Sequence, residues 1–180
     1  MPKTALKILG LDPSFRNWGV SACEYLDGEL TVLNTHIYKT LSKKSSKQKQ
    51  SHKDIEDAHI LYSGLIKSVK WADIICIEIP HGSQKARGSL GNGVCYGVIA
   101  ALSVLNPNMV YVSANDVKAI VRLNKEHKPT KKEVIEWVRN KHPEAPLPNT
   151  LQAEHICDSI VAIHAAMLKP DFASYYENIS

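Results

Sequence analysis

The sequence predicts an α/β domain: a mixed five-stranded sheet flanked by helices on both faces. Two observations carry this. The first forty residues read as consecutive strands, two of them joined by a tight turn. Beyond them, segments of helical and strand-like pattern alternate. A hairpin meander followed by such alternation implies a sheet of mixed direction, covered on both sides.

Ala5 to Asp12 opens the chain as a buried strand, with Leu6, Ile8, Leu9 and Leu11 and almost no charge. Pro13, Ser14 and Asn17 mark a turn. Trp18 to Tyr25 and Glu29 to Tyr38 are strands around Asp27-Gly28, a hairpin signal. Ser42 to Ser51 is polar and Lys-rich and reads as a mobile loop. Asp54 to Val69 has apolar residues at helical spacing: Ile55, Ala58, Leu61, Leu65 and Val69. Asp73 to Ile79 is too short for a helix and reads as a buried strand. Pro80 to Gly91 is rich in Gly, Ser and basic residues and reads as a loop. Val94 to Leu105, small and apolar, reads as a packed helix ended by Asn106-Pro107. Met109 to Ser113 is the fifth strand. Helices follow at Asn115 to Leu123, Thr130 to Lys141 and Leu151 to Leu168. Ser113 caps the first, and Thr130-Lys-Lys-Glu133 has the spacing of a capping box. No repeat or linker interrupts the 180 residues, so one domain spanning 1–180 is expected.

Apolar residues make up 44% and charged residues 22%, the balance of a globular domain rather than a disordered chain. No stretch has the apolar length to cross a bilayer, so no membrane partner is expected. Met1 to Thr4 runs straight into the first strand, so no leader is expected. A cytoplasmic location is therefore expected, with a bacterial, phage or organellar source all open. Cys23, Cys76, Cys95 and Cys157 form no CxxC pair and sit in apolar runs, as small core residues do. The net charge of +4 is concentrated: Lys39, Lys43, Lys44, Lys47, Lys49 and Lys53 form one run, and Lys118, Arg122, Lys125, Lys128, Lys131 and Lys132 another. Such runs suit a phosphate backbone. A solvated surface also explains them.

Two acidic residues stand out. Asp12 ends the first strand on the face of Ile8 and Gly10, and Glu78 ends the fourth on the face of Ile74 and Cys76. A carboxylate in such surroundings is costly unless a cation meets it. Either alone is also a strand-end charge reaching water. If the two strands lie side by side, the carboxylates converge. In the last helix Ile156, Ile160, Ile163 and Met167 form an apolar stripe, and His155 and Asp158 project from another face. Glu154 with Asp158 is a competing pair. Three carboxylates and a histidine suit two divalent ions, magnesium or manganese, with the imidazole favouring manganese somewhat. Paired ions hydrolyse phosphodiesters.

These motifs together resemble the RuvC family of Holliday-junction resolvases, of the RNase H-like superfamily. Ile8-Leu-Gly-Leu-Asp-Pro13 with Gly19 resembles the family's opening strand and turn, and Ile77-Glu78 its second acidic motif. Leu90-Gly-Asn-Gly-Val94 with Gly97-Val-Ile-Ala-Ala101 resembles the helix that packs two subunits together. Val117-Lys118 and Lys131-x-x-Val134 resemble its basic positions, and His155-x-x-Asp158 its terminal acidic helix. The resemblance spans about Lys7 to His164. It implies an RNase H-like fold and a homodimeric endonuclease that resolves four-way DNA junctions by paired, metal-dependent nicks. It implies metal ligands Asp12, Glu78, His155 and Asp158, with Asp12 bridging two ions. Lys118 would sit near the scissile phosphate, and Lys131 or Lys132 would grip backbone.

The chain departs from the family in places. Ser14 stands where glycine is usual, and no aromatic residue closely follows Glu78. His81, or the loop of Gln84, Lys85 and Arg87, is expected to meet DNA in its stead. The Lys39–Lys53 run, with Lys43, Lys44 and Lys47 at its centre, is expected to contact a DNA arm. Two rival readings stay open: action on other branched DNA or RNA–DNA hybrids, and a junction-binding module without catalysis. An actin-like phosphotransferase is disfavoured, because the chain lacks Gly-rich phosphate loops. Nothing in the sequence bears on cleavage preference or a branch-migration helicase.

Overall fold

A computed structural model describes residues 5–40, 48–149 and 153–179. Strands β1 (Leu6–Asp12), β2 (Asn17–Leu26) and β3 (Glu29–Lys39) form the meander. Asp27 and Gly28, both at positive φ (50° and 91°), turn the β2–β3 hairpin as the dipeptide predicts. Helix α1 (Gln50–Trp71), β4 (Ile74–Glu78), α2 (Ala86–Ser103) and β5 (Met109–Val112) follow. Then come α3 (Ala114–Val121), α4 (Lys131–Lys141), α5 (Ala153–Ala166) and α6 (Pro170–Ile179). The sheet order is β3-β2-β1-β4-β5, antiparallel through the meander and parallel for β1–β4 and β4–β5. The mixed five-stranded sheet is as predicted.

Side chains of alternate parity divide the core. Ile8, Cys76, Val110 and Val112 pack under α3, α4, α5 and α6. Leu9, Leu11, Ile75 and Ile77 pack under α1 and α2. Both predicted caps form: Ser113 with Asp116 on α3, and Thr130 with Glu133 on α4. The four cysteines are free and buried, and burial pushes the Cys23, Cys95 and Cys157 thiols up to about 12. Among the described residues, no helix is long and apolar enough to cross a membrane.

Four expectations need correction. Helix α2 begins at Ala86, inside the stretch read as a loop. Glycine weakens a helix on its own, but here the helix must pass close to its neighbour: Gly91 lies against Phe15, whose Cβ would be 3.2 Å from any Cβ added there. Helix α1 begins at Gln50, so the end of the Lys-rich run is helical; residues 41–47 lie outside the described residues. The last predicted helix ends at Ala166, and α6 follows it. Pro170 at the helix start and Phe172, Tyr175, Tyr176 and Ile179 at helical spacing carried that signal. Phe172 and Tyr176 meet Tyr25 edge-on at 6.4 and 5.8 Å, covering β2. Finally, α5 has no single apolar stripe. It is buried around most of its circumference, because the sheet lies on one side and α3 and α4 on the other.

Candidate active site

The β1–β4 register sets Leu11 opposite Ile77. One residue further, the strands end on Asp12 and Glu78, so the two carboxylates stand side by side. They point to the α5 face. Two glycines let α5 come down onto the sheet there. A Cβ on Gly10 would collide with the Ser159 carbonyl, and one on Gly19 with the His155 carbonyl. Gly19 is the β2 partner of Asp12. The close approach therefore brings the His155 turn of α5 directly beside Asp12. His155 Nδ1 donates to Asp12 Oδ2 at 2.6 Å. Asp158 follows one turn on, near enough to raise Glu78 and to be raised by Asp12.

The electrostatics are those of carboxylates short of cations. Burial, then Asp12 and Asp158, pushes Glu78 up to about 8, and Lys118 only partly opposes this. Burial, Asp12 and Glu154 push Asp158 up to about 7. Burial also raises Asp12, offset in part by the His155 hydrogen bond and charge. That same hydrogen bond holds His155 above its ordinary value. Among the described residues, neither the Glu78 nor the Asp158 side chain makes a hydrogen bond or salt bridge.

The donor set is chemically suited to a hard divalent cation: carboxylate oxygens and one imidazole, crowded together with too little positive charge. As the side chains stand, no three His, Cys, Asp or Glu groups among the described residues already enclose an ion. Two of the donors, Asp12 and His155, are held to each other.

The predicted basic residues divide. Lys118 is exposed on α3, within electrostatic reach of Glu78. Lys131, at the start of α4, pairs with Glu154 Oε1 at 2.5 Å and also favours ionised Asp12 and Asp158. Lys132 points away toward Glu136 at 3.7 Å. His81, Gln84 and Lys85 are exposed on the segment between Glu78 and α2. Asn92 and Tyr96 of α2 brace that segment by donating to the His81 and Pro80 carbonyls. Arg87 lies on α2 rather than a loop and is bound to Asp54 through both terminal nitrogens. Lys53 is buried against Asp57, so it faces inward and not toward a DNA arm. Lys43, Lys44 and Lys47 lie outside the described residues. Sequence reasoning missed the Arg16, Lys53, Asp54, Asp57 and Arg87 cluster; the i,i+4 spacing of Lys53 and Asp57 was its one local sign.

No family model and no curated protein matches the chain. Solved structures do. RuvC of T. thermophilus, in complex with a Holliday junction substrate, superposes with a TM-score of 0.66 at 16% identity, over 97% of this chain and 96% of that one. The fold is that of RuvC. The yeast mitochondrial Holliday junction resolvase gives 0.63 at 12% identity, over 99% and 83%. The fowlpox virus resolvase, solved with Holliday junction DNA, gives 0.51 at 12% identity, over 97% and 100%. The RNase H-like architecture expected from the motifs is thus the architecture observed.

Proposed function

We propose that the protein is a divalent-metal-dependent endonuclease that resolves four-way DNA junctions. The observation that carries this is the convergence of Asp12, Glu78 and Asp158 with His155 at one end of a RuvC-like sheet, only partly offset by the described cations. The RuvC and fowlpox virus structures hold Holliday junction DNA, which supports a branched DNA substrate.

Asp12, Glu78 and Asp158 would hold two magnesium or manganese ions, which when bound supply the charge that activates water and steadies the leaving oxygen. His155 commits Nδ1 to Asp12, which orients the ring and leaves Nε2 as its available donor. Lys118 offsets charge that develops on the phosphate, and it also eases the ionisation of Glu78. Lys131 is held beside the site by Glu154 and is placed to meet a neighbouring phosphate.

Paired nicks need two sites, and a homodimer supplies them. The outer face of α2 is the surface we assign to it. Leu90 and Tyr96 are exposed there by 50% and 42%. A groove of about 420 Å³ between α1 and α2 is lined by Ile55, Ala58, Tyr62, Val94, Gly97 and Ala101. Ile55→Glu should yield monomers by light scattering; an unchanged mass would place the interface elsewhere.

The deciding experiment is cleavage of a labelled four-way junction beside a matched linear duplex and an RNA–DNA hybrid, with and without magnesium or manganese. Symmetric nicks in the junction alone, dependent on metal and lost in Asp12→Asn, are expected. Metal-dependent cutting of all three substrates would keep the nuclease and remove the resolvase. Tight junction binding without cutting would leave a binding module.

A further inference from the structure

Phe15 stands three residues after Asp12, on the turn that leaves β1. Its ring is met by two guanidinium groups, Arg16 at 5.2 Å and Arg87 at 5.4 Å from the centroid. Its Cβ sits against Gly91 of α2. Neither arginine is held by the ring alone. Arg87 grips Asp54 with both terminal nitrogens, Nη1 to Oδ2 at 2.6 Å. Arg16 Nη1 donates to Asp57 Oδ2 at 3.1 Å, and Lys53 Nζ donates to both Asp57 oxygens at 2.6 Å. The backbone of the turn is fastened as well: the Thr40 amide donates to the Arg16 carbonyl and the Thr40 hydroxyl to the Phe15 carbonyl, each at 3.2 Å. The first turns of α1 and α2, the end of β3 and the turn after Asp12 are thus joined in one knot.

An arginine that grips DNA must offer its planar fork to a phosphate. The fork of Arg87 is already taken by a carboxylate that is buried, with only 8% of Asp54 exposed. Releasing it would strand that charge inside the protein. We propose that Arg87 and Asp54 are positioning residues: their pair clamps Phe15 and so fixes the turn that follows Asp12, rather than gripping DNA. This rests on the nuclease reading of Asp12. An error of about 1 Å in a reacting group's placement costs on the order of a hundredfold in rate.

The two possible roles of Arg87 predict opposite behaviour for Asp54. Junction cleavage, junction affinity against salt, and amide hydrogen exchange of residues 13–19 without DNA would be measured for Arg87→Ala, Arg87→Lys and Asp54→Asn. Arg87→Ala and Asp54→Asn should each lower kcat by about tenfold to a hundredfold. Affinity should stay within about twofold, with the salt slope unchanged. The double variant should be no slower than either single one, since both break one pair. Exchange over 13–19 should quicken in both. Arg87→Lys, which keeps the charge and most of the packing, should recover only part of kcat, because an ammonium cannot make the two-pronged contact. If Arg87 grips DNA instead, Arg87→Ala will weaken binding and reduce the salt slope by about one, while Asp54→Asn will leave cleavage intact or tighten binding. If the wild type cuts no substrate, the nuclease reading falls, and the exchange measurement still decides the clamp: unchanged exchange in both variants overturns it.

Discussion

The molecule holds two groups of buried or half-buried acidic residues, treated in opposite ways. Asp54 and Asp57 on α1 are met by Arg87, Lys53 and Arg16, and Arg87 pulls the Asp54 carboxyl down to about 2. Asp12, Glu78 and Asp158, under α5, are met by one histidine and by lysines that make no salt bridge to them among the described residues, and all three are raised. The same residue types are structural where the chain supplies its own cations. Where it does not, their negative charge is left largely uncompensated. We base the proposed functional group on this deficit of charge, not on a count of carboxylates.

The largest expected effect strikes the deficient group. Asp12→Asn, Glu78→Gln and Asp158→Asn should each reduce junction cleavage by on the order of a thousandfold or more, while junction affinity in a binding titration stays near that of the wild type. Wild-type cleavage by any one of them would remove that residue from the site and weaken the contrast. The neutralised group should respond in stability instead. Asp57→Ala leaves Lys53, which is 2% exposed, buried without its carboxylate. Denaturant unfolding should show a loss of about 3–5 kcal/mol. A loss below about 1 kcal/mol would mean that Lys53 reaches water, and the two groups would differ less than they seem to.

How far the sequence revealed each group follows from the range of its contacts. Asp12 and Glu78 were legible because a charge at the end of an apolar strand is conspicuous in one dimension. Their convergence was conditional on β1 and β4 being neighbours, which the parallel register supplies. His155 and Asp158 were legible as a helical pair, but nothing local shows that Gly10 and Gly19 let α5 descend onto them. The clamp was hidden because its partners are distant in sequence: Arg87 and Asp54 are 33 residues apart, Arg16 and Asp57 are 41 apart. Arg87 therefore looked like a loop cation. Lys53 looked like part of a solvated run for the same reason, since only its Asp57 partner and its burial distinguish it from Lys49.

Adding a divalent cation should sharpen the comparison. Magnesium or manganese at about a hundred times its dissociation constant should stabilise the wild type by about 2.7 kcal/mol, read as a rise in Tm, and Asp12→Asn should lose most of that rise. Proton linkage gives an independent check. Glu78 is raised in the fold from 4.5 to about 8 and Asp158 from 3.8 to about 7. The folded protein thus binds more protons than the unfolded chain across that range. The stability they contribute is full below about pH 4 and is lost as pH rises through about 7 to 8. Metal-free protein should melt lower as pH climbs through that window, and Glu78→Gln should flatten the decline. A flat profile in the metal-free wild type would mean that water already serves these carboxylates.

The smallest effect comes from a pair of histidines that works against this trend. His142 ends α4 and His164 lies on α5, with their Nε2 atoms 2.7 Å apart. The ring centroids are 5.1 Å apart with the planes tilted by 38°, and the two nitrogens stand at hydrogen-bond distance. That is the geometry of one N–H shared between two nitrogens, and it does not suit two lone pairs converging on a metal. His142 Nδ1 donates to Glu144, so its Nε2 accepts and His164 Nε2 donates. A second proton would set two donors face to face. Burial, then the charges of His142 and Lys141, holds His164 down at about 4, from 6.5; burial lowers His142 too, against the pull of Glu144. The folded state therefore binds fewer protons here than the unfolded chain, and stability is lost as pH falls from about 6.5 toward 4. The loss should be on the order of 1–3 kcal/mol. It overlaps the acidic group's window with opposite sign, so the wild-type Tm should fall less steeply with pH between about 4.5 and 6.5 than the carboxylates alone would make it. His164→Gln should remove the histidine slope, so that Tm falls more steeply with pH in that window than it does in the wild type. If His164→Gln leaves the wild-type profile unchanged in that window, the histidines are not held neutral by the fold.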